Sequence, residues 1–302
     1  MASPAHPGLT TLAGGFTFLE CPRWHQGRLW LSDFYSHRVV AVDAKGTVET
    51  IARVPQQPSG LGFLPDGRAL IVSMRDRKLL RREPSGALVE HADLSKLAPH
   101  HLNDMLVDAK GRAWVGNFGF DLMAGAPMAS TVLIRVDADG KAQVAAHGLR
   151  FPNGMAMTPD GRTLVVAESF GQSLAAFTVG ADGSLSNQRI WAQIGEPPKT
   201  TDAHAFLGSA AIVPDGICLD AEGAIWVADA LHHRAVRVAE GGRILEEISS
   251  GETGVYACML GGDDGRTLFL CAAPSFGEEE RKQATDAEIL AVRVKVPHAG
   301  LP

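Results

Sequence analysis

The chain has 302 residues, a formal net charge of −6, 45% hydrophobic and 21% charged residues, 33 glycines and 17 prolines. That charge excludes nucleic acid or an anionic membrane as the main partner, since both require a basic surface. A domain of this size buries roughly 75% of its unfolded surface and needs no covalent staple, and no stretch reaches the ~18 apolar residues of a membrane span.

The opening segment, MASPAHPGLTTLAGG, has neither a basic start nor a long apolar run, so it does not read as a signal peptide. The four cysteines, Cys21, Cys218, Cys258 and Cys271, sit in apolar strand-like contexts without a CxxC pair. They read as reduced, buried thiols, and the chain is expected to be cytoplasmic.

From residue 19 onward one unit recurs six times: a short apolar run, a turn closed by glycine, and a second apolar run. In chain order the first runs are LECPRW, PSGLGFL, LNDMLV, PNGMAMT, PDGICLD and YACMLG, and the second runs are GRLWLSD, GRALIVSM, GRAWVGNF, GRTLVVAE, GAIWVAD and GRTLFLCA. The repeat glycines, Gly27, Gly67, Gly111, Gly161, Gly223 and Gly265, are spaced by 40, 44, 50, 62 and 42 residues. A hairpin turn needs φ > 0 at such a position, which glycine supplies without strain. Third strands follow in most units and weaker fourth strands after them. Units of about 40–50 residues with several short strands each are the mark of propeller blades. The expected fold is therefore all-β: one domain over residues 1–302, a six-bladed β-propeller with four-stranded antiparallel blades. The sixth unit runs out of chain after three strands, and residues around Thr10–Ala13 are expected to close the ring. A solenoid of the same units is the structural alternative. The segment 278–290 reads as a surface loop rather than a helix, and long loops at 119–130 and 195–213 are expected to overhang one end, with Met123, Met128, Phe206 and Leu207 as an apolar rim.

Eight residues before each repeat glycine lie Ser59, Asn103, Asn153, Asp215 and Ala257; in the first unit, with its shorter turn, the matching residue is seven back, at Glu20. This position opens the innermost strand of each blade, so all six side chains would point to the axis from one end. Two carboxylates there would repel one another in a desolvated funnel. A divalent cation bound by Glu20, Asn103, Asn153 and Asp215 resolves the conflict, and oxygen-only ligands suit Ca²⁺, Mg²⁺ or Mn²⁺, with Zn²⁺ or Fe²⁺ left open. The alternative is that Asn153-Gly154 and Asp215-Gly216 merely shape bends.

At these residues the chain resembles the family of senescence marker protein (regucalcin), gluconolactonases and luciferin-regenerating enzyme. The matching pieces are LECPRW at 19–24, LND at 102–104, FPNGMA at 151–156 and PDGICLDAEGAIWVA at 214–228. The resemblance implies metal-dependent hydrolysis of a carboxylic ester, usually a lactone. It implies metal ligation by Glu20, Asn153 and Asp215, with Asn103 completing the coordination or contacting substrate. His101 stands where sugar-lactone members often carry Arg, and Met105 where some carry Gly, so a more apolar lactone is as much in view as a sugar-derived one. Asp121 falls near an acidic substrate contact of some relatives.

The expected chemistry is metal-assisted attack of water, with Asp215 as the catalytic carboxylate and His101, Asn103 and Asp121 as substrate contacts. No GxSxG elbow, P-loop or dinucleotide fingerprint competes with it. A metal-dependent organophosphate or aryl esterase, and a propeller that binds calcium or a small ligand without catalysis, remain as alternatives. The expected partner is a small lactone or ester, and the expected assembly a monomer or small homo-oligomer.

Overall fold

Each pair of apolar runs folds into a hairpin, and all six repeat glycines carry positive φ, between 68° and 85°. The computed structural model describes residues 3–300. Over these residues the hairpins extend into six separate four-stranded antiparallel sheets, each meandering from an innermost to an outermost strand, which form a six-bladed β-propeller. The innermost strands are Leu19–His25, Pro58–Phe63, Leu102–Val107, Pro152–Met157, Pro214–Leu219 and Gly254–Gly261. They are buried almost throughout, whereas an outermost strand such as Val48–Arg53 leaves Val48, Glu49, Thr50 and Arg53 exposed. The gradient follows from position, because a strand at the axis has neighbours on both faces and an outer strand meets water.

Each blade buries its faces against the next. Trp114, Leu133 and Leu106 of the third blade pack with Met155, Leu164 and Val166 of the fourth. The ring closes twice over. The inner strand Leu19–His25 lies between those of the second and sixth blades, which excludes a solenoid. The strand Thr10–Phe16 pairs with Ala287–Arg293 of the sixth blade, with Thr10 opposite Ala291. The first strand of the chain therefore covers an edge that would otherwise offer unpaired N–H and C=O groups.

In every blade the pairing of the inner strand slips at its opening: between Glu20 and Arg23, Pro58 and Leu61, Leu102 and Met105, Pro152 and Met155, Pro214 and Ile217, and Val255 and Ala257. Such bulges re-aim side chains, and here six of them fall around one point of the axis.

Two loops differ from expectation. The segment 278–290 opens with a short helix, Glu278–Arg281, and passes into the strand Ala287–Arg293. The buried Arg281 organises this turn by pairing with Asp286 and Glu280. The long 195–213 segment holds the helix Ala203–Leu207, which begins where Asp202 Oδ1 accepts hydrogen bonds from the N–H groups of His204 at 2.9 Å and Ala205 at 3.0 Å. Among the described residues no helix is long and apolar enough to cross a membrane. All four cysteines are free and buried.

Candidate metal site and substrate pocket

The bulges bring Glu20, Asn103, Asn153 and Asp215 to the floor of one pocket, open to solvent at its mouth, with a cavity volume of about 120 Å³. The other two positions of the sixfold register do not reach it. Ser59 is fully buried beneath the floor, and its carbonyl accepts a hydrogen bond from Ser32 Oγ at 2.6 Å. In the sixth blade the slip falls one residue earlier, so Tyr256 lines the pocket in place of Ala257. The glycines following the ring residues are not bends: neither Gly154 nor Gly216 has positive φ. They permit contact between blades, since a Cβ on Gly154 would stand 2.5 Å from the carbonyl oxygen of Asp215.

Burial holds the Glu20 carboxyl well above the usual carboxylate range, and the charges of Asp215 and Asp104 push it further. Burial also raises Asp215, again with Asp104 adding to the effect, while a hydrogen bond from Asn153 works the other way. The amide nitrogen of Asn103 donates to Pro152 O at 3.4 Å, and that of Asn153 donates to Ser169 Oγ at 3.2 Å. Each amide oxygen is left without a hydrogen bond among the described residues. Two carboxylates without an ion-pair partner among the described residues and two unengaged amide oxygens are a donor set that fits one hard divalent cation. Among the described residues no three histidine, cysteine, aspartate or glutamate side chains gather as a metal site, here or elsewhere, so this set rests on two carboxylates and two amides.

A second layer lies beneath the floor. Arg23, two residues beyond Cys21, reaches past the second blade to Asp104 at 2.9 Å and donates to Pro22 O at 2.8 Å and to Met105 O. Ser169 receives the Asn153 amide and donates to Pro214 O at 2.7 Å, tying the fourth blade to the residue before Asp215. Sequence reasoning assigned no role to these three residues. The signal for Arg23 and Asp104 was available, since both are charged residues inside inner-strand motifs that are apolar apart from them and the ring residues Glu20 and Asn103. Ser169, sixteen positions after Asn153, had none.

His101 lines the pocket, with its ring 5.8 Å from that of Phe118. Burial, with the neighbouring His100, lowers its pKa to about 4, so the imidazole is neutral at pH 7. Asp121 stands outside the pocket lining: it accepts from Ala124 N at 3.0 Å and lies 3.6 Å from His100 Nε2. The two long loops reach the mouth through Leu122, Met123 and Leu207. Met128 and Phe206 do not; Phe206 packs behind the wall on Phe170, with centroids 5.2 Å apart. Phe151, which precedes PNG, has φ of 59°, a strained conformation for a bulky residue. It packs on Phe118 and Phe170 with centroids at 4.5 and 5.1 Å.

Comparison with known proteins agrees with the fold. The model of the SMP-30/Gluconolactonase/LRE-like region matches residues 18–274. A 6-deoxy-6-sulfogluconolactonase of Pseudomonas putida is 26% identical over 290 residues, covering 94% of this chain and 93% of the relative. A pentonolactonase of Haloferax volcanii is 25% identical over 299 residues, covering 94% and 92%. Among solved structures, a calcium-binding regucalcin from Agrobacterium tumefaciens superposes with a TM-score of 0.78 at 20% identity, covering 100% of this chain and 98% of that one.

Proposed function

From the chain's membership of the SMP-30/gluconolactonase/LRE-like family, we propose that it is a carboxylic ester hydrolase: a lactonase that opens a sugar-derived or more apolar lactone by attack of water at a site built for one divalent metal ion. The observation that carries this reading is the convergence of Glu20, Asn103, Asn153 and Asp215 on the floor of an open pocket. Lactone chemistry is supported by the names of the related P. putida and H. volcanii enzymes. Calcium, the ion named for the Agrobacterium relative, is the first to test.

A cation held by these four residues would polarise the lactone carbonyl and stabilise the developing oxyanion. The remaining work belongs to the chain. Asp215 Oδ orients the attacking water and takes one of its protons as the new C–O bond forms. When the ring C–O bond breaks, the same carboxyl returns that proton to the leaving alkoxide, so the hydroxy acid forms without net proton transfer to Asp215. Neutral His101 offers a hydrogen bond to the substrate from the pocket wall. Arg23 and Ser169 keep Asp104 and Asn153 in place beneath and beside the reacting groups.

The test is a lactone panel assayed after complete chelation and again after return of Ca²⁺, Mn²⁺, Zn²⁺ or Fe²⁺. Turnover lost on chelation and restored by one ion is expected. Undiminished turnover after chelation overturns the metal-assisted reading, and metal binding without hydrolysis of any lactone leaves a binding propeller instead.

A further inference from the structure

We infer that the substrate carries a flat or extended apolar group, an aryl- or alkyl-substituted lactone, rather than a polyhydroxylated one; this rests on the hydrolytic reading above. The observation is the chemistry of the walls. Phe118, Phe151 and Phe170 form one continuous aromatic face on the third and fourth blades. Phe18, Tyr35 and Tyr256 form a second on the sixth and first blades, with Phe18 4.7 Å from Tyr256 and 6.2 Å from Tyr35. In a six-bladed ring these blade pairs are opposite one another, so the two faces flank the metal-site floor as a slot. Aromatic faces at such spacings gain by stacking on a flat ring or on an alkyl chain.

A polyhydroxylated substrate needs several free donors and acceptors, and the upper pocket has few. Its charged groups are largely committed to each other: Arg75 Nη2 pairs with Glu278 at 2.5 Å and Arg75 Nε donates to Gln57 Oε1 at 2.8 Å, leaving Nη1 as the one guanidinium nitrogen without a partner among the described residues, and the Gln57 amide donates to Met74 Sδ at 3.2 Å. Above the floor, the His101 ring and the hydroxyls of Tyr35 and Tyr256 are the polar groups without a hydrogen bond among the described residues. Three dispersed groups suit a carbonyl, a ring oxygen or a single hydroxyl. Sugar hydroxyls entering this slot would give up water without replacement partners, which strongly disfavours them.

The experiment compares kcat/KM of the metal-loaded protein for three δ-lactones: unsubstituted, substituted with alkyl chains of increasing length, and fused to an aryl ring, with glucono-δ-lactone as the polyhydroxylated reference. Each methylene that enters the slot is expected to raise kcat/KM about fourfold, and the aryl lactone to exceed the reference at least tenfold. Met123→Gln and Phe276→Gln, at exposed positions of the pocket rim, should flatten the chain-length dependence. In parallel, binding of the corresponding lactams, which resist hydrolysis, is measured by calorimetry. Apolar lactams binding at least tenfold tighter than a polyhydroxylated lactam supports the inference even if no lactone turns over, in which case the hydrolytic reading alone fails. A polyhydroxylated lactone or lactam preferred over its apolar counterparts, or no dependence on chain length, overturns it while leaving hydrolysis intact.

Discussion

Arg23 Nη2 lies 2.9 Å from Asp104 Oδ1 with both side chains almost wholly buried, so the first and third blades are joined by an ion pair that passes beneath the metal-site floor. The pair holds a negative charge next to Glu20 and Asp215 while supplying the cation that offsets it. Arg23→Met removes the offset and strands Asp104. Its expected cost is about 3–5 kcal/mol of stability by urea denaturation. The double replacement Arg23→Met with Asp104→Asn should recover most of that loss. Equal costs for the single and double variants would mean that the two residues do not act as a pair.

Glu20→Gln and Asp215→Asn each remove one desolvated charge from a floor that lacks a counter-charge of its own. In chelated protein both replacements are expected to raise the melting temperature, since a buried carboxylate is held there at a cost. In the presence of excess Ca²⁺ the order should reverse. The parent gains stability from binding, as any ligand of the native state provides, while the variants lose most of that gain and turnover falls by at least about a hundredfold. Thermal melts with and without metal read both effects.

Proton linkage gives a pH signature with a definite sign. Burial raises Glu20 and Asp215 in the fold above their unfolded values. Between their unfolded and folded pKa values, these two carboxyls therefore bind more protons in the metal-free native state than in the unfolded chain. Their contribution to stability is fully present below the ordinary carboxylate range and is lost as pH rises through that window. Bound metal replaces those protons, so apparent metal affinity should weaken as pH falls and binding should release protons. Calorimetry in two buffers of different ionisation enthalpy measures that release; a buffer-independent heat at pH 6 would contradict it.

The ring was legible because its signal is periodic. Six glycines at hairpin positions and apolar runs on either side fix six hairpins, and the polar residues at one register fix which side chains share an end. The strand Thr10–Phe16 was legible from a count of three strands in the last unit. What sequence could not supply was the position of each bulge. A slip of one residue moves a side chain to the other face, which is why Tyr256 rather than Ala257 reaches the pocket; Ser59 has the same slip as the ring residues, and its short side chain is buried instead beside Cys21. The ties made by Arg23 and Ser169 were also hidden, since they depend on where separate blades meet. Asp121 was assigned from a loose match in a loop, where neither periodicity nor register constrains direction; in the fold its carboxylate serves the loop's own backbone.

Gly154 tests whether the glycine after each ligand serves proximity rather than a turn. Its φ lies outside the left-handed region, so alanine carries no conformational penalty there. An added Cβ, however, would stand 2.5 Å from both Asp215 O and Ile217 N, backbone atoms of the next blade's inner strand. Gly14, on the closing strand, is the matched control, because its added Cβ would meet nothing nearer than Glu288 Cβ at 3.9 Å. Gly154→Ala is expected to lose about 1–3 kcal/mol through forced separation of the two strands, and to weaken metal binding because Asp215 moves with the strand that is displaced. Gly14→Ala should be close to neutral in both respects. Comparable losses from the two variants, or a destabilised Gly154→Ala that still binds metal as tightly as the parent, would show that the spacing of the fourth and fifth blades does not set the geometry of the floor.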